Sequence, residues 1–131
     1  MTDDLPFDEA WLSGFDGHQF FTRTWRAAEP KAAVLFLHGF ADHISRYDHI
    51  HSAFVQRGIV VFAYDLRGFG KTALDVEHRS PGASYGKTSN NLALQDIEWW
   101  IERCKREYPT LPLFLMGYSA VSSSLVAGWS I

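Results

Sequence analysis

The sequence predicts an α/β layered fold, with an antiparallel hairpin leading into parallel strands joined by crossover helices. Three observations predict it. Residues 32–37, 59–64 and 113–116 are short, continuously apolar runs, as expected of strands buried on both faces. Two stretches between them carry apolar residues at helical spacing instead. The two patterns alternate along the chain, and strands separated by helices pair in parallel.

Residues 9–25 read as the hairpin. Asp16-Gly17 is a type I′ turn signal, with Trp11, Leu12 and Phe15 before it and Phe20, Phe21 and Trp25 after it. Glu29-Pro30-Lys31 then breaks the chain ahead of the first buried run. Residues 47–57 place Ile50, Phe54 and Val55 on one helical stripe, and Gly58 offers the stop. Residues 68–86, rich in Gly, Ser and Pro, read as a loop with no regular element. Residues 90–108 form the stronger helix, because Leu94, Ile97, Ile101, Cys104 and Tyr108 recur at spacings of three and four. Pro109 ends it. Cys104 lies on that stripe and reads as core, while adjacent Trp99 and Trp100 cannot both face the sheet.

Composition excludes several classes. With 131 residues, 47% hydrophobic and 15% aromatic, including five Trp and ten Phe, the chain is not disordered. A net charge of −3, from 12 basic and 15 acidic residues spread along the sequence, leaves no electrostatic footprint for nucleic acid. The one cysteine cannot form an internal disulfide. The acidic N-terminus lacks the apolar run of a signal peptide, and no stretch reaches the roughly 18 apolar residues of a membrane helix. A soluble, intracellular chain forming one domain over residues 1–131, with no repeat or linker, is expected.

In an open parallel sheet, ligands gather outside the carboxyl ends of the strands. Each buried run here leads into a glycine-containing turn: His38-Gly39-Phe40-Ala41-Asp42-His43, Asp65-Leu66-Arg67-Gly68-Phe69-Gly70, and Gly117-Tyr118-Ser119-Ala120-Val121. A sharp strand-to-helix turn around Ser119 would expose its Oγ at a helix N-terminus, where free N–H groups favour a developing oxyanion. The turn satisfies the first half of G-x-S-x-G only, since Val121 stands where the second glycine belongs. His38-Gly39-Phe40 has the form of the loop whose backbone N–H supplies the other oxyanion donor. Asp65, at a strand end, reads as ordering the turn that comes after it.

These turns, extended by Ile44-Ser45-Arg46-Tyr47 and by Lys71-Thr72, resemble the α/β-hydrolase superfamily. More narrowly, they resemble its monoacylglycerol lipase and lysophospholipase group, a serine aminopeptidase S33-type domain. The resemblance covers about residues 7–120, and residues 121–131 diverge from it. It implies the N-terminal half of an α/β-hydrolase sheet, truncated after the nucleophile strand. It also implies Ser119 as the acyl-forming nucleophile and the N–H groups of Phe40 and Ala120 as the oxyanion hole. His38, Gly39, Asp42, His43, Arg46, Gly117 and Tyr118 would form the surrounding loops and pocket. Members cleave lipid-like carboxylic esters without a metal or organic cofactor. The resemblance places the protein in the cytoplasm or at the periphery of membranes or lipid droplets.

The chain also departs from the family. In this fold the triad follows the order Ser, acid, His, yet residues 120–131 contain no Asp, Glu or His. A serine hydroxyl needs an adjacent base, so ester hydrolysis by this chain alone is expected to be undetectable, and the sequence reads as a truncated product. His18, His38, His43, His49, His51 and His78 all lie upstream. Of these, His38 reads as shaping its loop and His43 as pocket wall. His49 and His51, two apart on a helix, read as surface residues rather than metal ligands.

Three rival readings compete. Gly68-Phe69-Gly70-Lys71-Thr72-Ala73 fits G-x-G-x-x-[GA], which would suit a dinucleotide if a helix opened there at once. Gly70-Lys71-Thr72 imitates the end of a phosphate loop, but the motif's first glycine would fall at Asp65. The third is a non-catalytic fragment or subunit that pairs an open sheet edge with another chain or a second copy.

Overall fold

The computed structural model describes residues 5–117. Strands β1 (Asp8–Ser13) and β2 (Gln19–Trp25) form the hairpin, followed by β3 (Ala32–Leu37), a 3-10 turn (Ile44–Tyr47), α1 (Asp48–Gln56) and β4 (Ile59–Tyr64). Helix α2 (Gly70–Leu74), helix α3 (Asn90–Glu107) and β5 (Leu113–Gly117) complete the described chain. The five strands make one mixed sheet in the order β1-β2-β4-β3-β5. β1, β2 and β4 pair antiparallel, whereas β3 is parallel to both β4 and β5.

Alternation along the strands divides the core between two faces. Phe20, Leu35, Leu37, Phe62 and Tyr64 point to one face and pack with Ile97, Trp100, Ile101 and Cys104 of α3. Phe21, Trp25, Val34, Phe36, Val61 and Ala63 point to the other, against Phe54 and Val55 of α1. The layered arrangement and both long helices are therefore as the periodicity predicts. Trp100 is fully buried while Trp99 is only partly covered, and Cys104 is core.

Three local readings are corrected. The hairpin turn is not type I′, which needs positive φ at both central residues. Asp16 keeps a negative φ, Gly17 has φ +83, and the connection spans Gly14 to His18, closed by Gly14 N–H to His18 O at 2.8 Å. Asp16 is held instead by its carboxylate, which accepts from the His18 N–H at 3.1 Å and from Arg67 at 2.9 Å.

The stretch read as an irregular loop begins with helix α2, too short to show a periodic pattern. Residues 75–86, beyond that helix, are strapped down rather than free: Gln19 N–H donates to Ser80 Oγ, Gly86 N–H to Gly68 O, and His78 stacks on Trp11. Finally, His51 is fully buried rather than a surface residue, with Trp25 and Phe36 rings both 4.5 Å from it. Its helix turns His51 and Ser52 inward beside Phe54 and Val55, so the buried stripe is shifted by one residue from Ile50.

Candidate functional site

The sheet register assembles the site. Leu37 of β3 lies opposite Tyr64 of β4 on one side and Gly117 of β5 on the other, so all three parallel strands end level. The turns beginning at His38 and Asp65 consequently leave one edge of the sheet side by side, and the segment following Gly117 starts from the same edge.

His38 is fully buried between these turns. Its Nε2 accepts the Leu66 N–H at 2.8 Å, so the proton sits on Nδ1, which donates to Gly39 O at 2.7 Å. Burial pushes its pKa below the ordinary value. With both ring nitrogens engaged, this imidazole ties one turn to the next and is not presented as a base.

Asp65 does for the backbone what His38 does for the loops. One carboxylate oxygen accepts the Ile44 N–H and the other the Lys71 N–H, each at 2.8 Å. Its carbonyl accepts the Thr72 hydroxyl, whose oxygen in turn accepts the Phe21 N–H. Burial raises the Asp65 pKa, opposed by those two N–H donors. Gly70 stands so close that a Cβ there would lie 2.4 Å from the carboxylate, and its φ is +53. The short helix thus opens onto a protein carboxylate, the place a pyrophosphate would need. This removes the structural context the dinucleotide and phosphate-loop readings require.

The loop after β3 turns at Gly39-Phe40-Ala41-Asp42, with Asp42 N–H bonded to Gly39 O at 3.1 Å. Ala41 is the one non-glycine residue with positive φ, +61, among the described residues. Phe40 carries its ring outward, 61% exposed, and its backbone N–H meets no acceptor among the described residues. Asp42 anchors the rest of the loop: it accepts from the His43 N–H, from Arg46 and from the Tyr47 hydroxyl. Burial works to raise its carboxyl, but these donors hold it below the usual range. Arg46 remains largely exposed.

A buried ion-pair network absent from the sequence reading braces the neighbouring turn. Arg67 donates to Asp96 of α3 at 2.9 and 2.8 Å and to Asp16 of the hairpin at 2.9 Å twice. Its guanidinium holds the Asp16 carboxyl down at about 2. A carboxylate on an otherwise apolar helical stripe, between Ala93 and Trp100, was the available signal. Among the described residues no cluster of three or more His, Cys, Asp or Glu could hold a metal ion. No helix among them is long and apolar enough to cross a membrane. Tyr118, Ser119 and Ala120 lie outside the described residues.

A mixed sheet with level parallel ends, a buried histidine after the third strand and a tight aspartate-anchored turn after the fourth define the chain as part of an α/β hydrolase. Solved structures agree. A thermostable carboxyl esterase from Bacillus coagulans superposes with TM-score 0.77 and 28% identity, over 95% of this chain and 39% of its own. A soluble variant of monoglyceride lipase from Saccharomyces cerevisiae, bound to a substrate analogue, gives 0.74 and 25%, over 90% and 38%. The chain belongs to the family described as serine aminopeptidase, S33, whose sequence profile matches residues 28–122. It is 29% identical over 117 residues to monoglyceride lipase from Homo sapiens, covering 88% of this chain and 35% of the relative. Against a putative monoglyceride lipase from Schizosaccharomyces pombe it is 32% identical over 102 residues, covering 76% and 25%. The chain thus spans a quarter to about a third of the length of these curated relatives.

Proposed function

We propose that this chain is the nucleophile-bearing part of a single hydrolase domain acting on a lipid carboxylic ester of the monoacylglycerol kind. Ser119 Oγ attacks the ester carbonyl, and the N–H groups of Phe40 and Ala120 receive the oxyanion. The observation that carries this reading is the level ending of β3 and β5, which starts the Phe40 loop and the Ser119 segment from one sheet edge. Its support is the relatives named above, together with a Phe40 N–H that meets no acceptor among the described residues.

The same reading assigns no proton acceptor to these 131 residues. His38 spends both ring nitrogens on backbone groups, and the residues after Ser119 include no acid or imidazole. Removing the base from a serine triad costs about 10⁶-fold in turnover, as in subtilisin. The 131-residue chain alone is therefore silent toward monoacylglycerol and toward a fluorophosphonate probe. A chimera joining residues 1–120 to the remainder of a full-length relative labels, and loses that labelling on Ser119→Ala. Labelling of the short chain that vanishes in Ser119→Ala would reveal a base within it. Labelling that survives in the variant would move the nucleophile elsewhere.

A further inference from the structure

Among the acidic and amide side chains of the sequence, Asp16 alone is followed by glycine. That pairing carries a chemistry of its own. A main-chain nitrogen can attack the side-chain carboxyl of the residue before it and close a five-membered ring. A residue without Cβ leaves that nitrogen unshielded. Asp16 and Gly17 are exposed, and a Cβ built on Gly17 would meet nothing within 4 Å, so water reaches the turn.

In the folded chain both reacting groups are held. The carboxylate accepts two bonds from Arg67 at 2.9 Å and one from the His18 N–H at 3.1 Å. The Gly17 N–H donates to Gly14 O at 3.1 Å. Attack requires the carboxyl carbon to turn toward that nitrogen, and these bonds oppose the turn. It also requires a proton on the departing oxygen, whereas hydrogen bonds from Arg67 hold this carboxyl down at about 2. Arg67 is itself 7% exposed and anchored on Asp96 of α3 at 2.9 and 2.8 Å. The guard is therefore part of the buried framework rather than a surface contact.

We infer that Asp16-Gly17 is a site of spontaneous covalent modification, isoaspartate formation through a succinimide, and that Arg67 keeps it closed in the folded chain. The Gly17 nitrogen bonds to Asp16 Cγ, and the carboxyl hydroxyl leaves with the amide proton as water. A second water then opens the ring. Opening at the former main-chain carbonyl leaves Gly17 joined through Cγ, with the net composition unchanged and no oxidant, enzyme or cofactor consumed. The main chain gains a methylene, and the free carboxylate moves back onto Cα, out of register with the guanidinium. The hairpin turn thereby loses its tie to Arg67, and through it to α3. Ser119 takes no part, so this chemistry stands independently of the hydrolase reading.

The test incubates the 131-residue chain in heavy-oxygen water at neutral pH, both native and in urea. Residue 16 is read by peptide mass spectrometry with electron-transfer fragmentation, and each ring opening leaves one heavy oxygen there. Native protein is expected to gain isoaspartate at least about tenfold more slowly than the same chain in urea. Arg67→Met with Asp96→Leu removes the guanidinium and leaves no buried carboxylate behind. Folded by circular dichroism, it should react within about threefold of the rate in urea. Arg67→Lys, which cannot offer two parallel donors, decides the matter if the double variant does not fold, and should react at least about threefold faster than the wild type. Asp16→Glu, whose ring would be larger, should take up no heavy oxygen.

Equal rates for the native and the urea-unfolded wild type overturn the proposal. So does a folded double variant, or Arg67→Lys in its place, that reacts as slowly as the native wild type, and so does uptake that survives in Asp16→Glu.

Discussion

His51 has no exposed surface, and neither of its ring nitrogens has a hydrogen-bond partner among the described residues. Trp25 and Phe36 close on it from β2 and β3, and the Arg23 guanidinium of β2, paired with Asp48 at 2.8 Å, acts on it electrostatically. Burial first, and Arg23 second, depress its pKa from 6.5 to about 4. A folded-state pKa below the unfolded one means the folded chain binds the proton less well. The resulting stability is complete above pH 6.5 and is lost as pH falls toward 4. The full swing amounts to about 3 kcal/mol.

Urea unfolding of the wild type should weaken steeply across that window, and His51→Leu should flatten most of the slope. A smaller slope should remain from His38, also depressed by burial. Ala41 carries strain of another kind, since its φ of +61 puts Cβ against the backbone. Ala41→Gly should raise stability by up to about 1 kcal/mol, while Ala41→Val should lower it by more than about 1 kcal/mol. Neither residue was legible: an isolated His reads as polar, and the sign of a φ leaves no trace in composition.

At the scale of elements, two buried arginines clamp the sheet, one per face. Arg23 joins β2 to Glu9 of β1 and Asp48 of α1, and Arg67 joins the turn after β4 to Asp16 and Asp96. Asp96 is 2% exposed, so Arg67→Met would leave a buried, unpaired carboxylate. The expected loss is about 3–5 kcal/mol of unfolding free energy in urea, and Arg67→Met with Asp96→Leu should recover most of it. Equal losses in the single and double variants would mean that packing, not charge, fixes the arginine.

The strands and both long helices were readable because burial on both faces or on one stripe imposes a period. The hairpin turn differs from the expectation because the connection runs from Gly14 to His18, longer than two residues, which leaves Asp16 at an ordinary negative φ and free to pair its carboxylate with Arg67, about fifty positions away in sequence. Helix α2 has five residues, fewer than two turns, and no stripe can declare itself over that length. The loop motifs were legible as chemistry, but the ties among His38, Asp65 and Leu66 are tertiary and appear only in the fold.

At the scale of the whole sheet, and among the described residues, one end is protected and the other is open. The β1 edge is charged and polar, carrying Asp8 and Glu9, which discourages a further strand. At the opposite end, β5 pairs with β3 alone among the described residues, and its Phe114 is 55% exposed. Five residues of apolar strand with unpaired N–H and C=O groups form a template for another strand. A partner or second copy would gain both hydrogen bonds and the burial of Phe114.

The 131-residue chain is therefore expected to self-associate with rising concentration between about 1 and 100 µM, as sedimentation velocity would report. Phe114→Lys places a charge on that edge without touching either core cluster, and should shift the distribution toward monomer while leaving the unfolding free energy within about 0.5 kcal/mol. A wild type that stays monomeric throughout would mean that the edge is already covered by residues beyond Gly117. Association unchanged in Phe114→Lys would move the contact to the aromatic face around Phe40 and Tyr85, another place where large apolar side chains stand exposed.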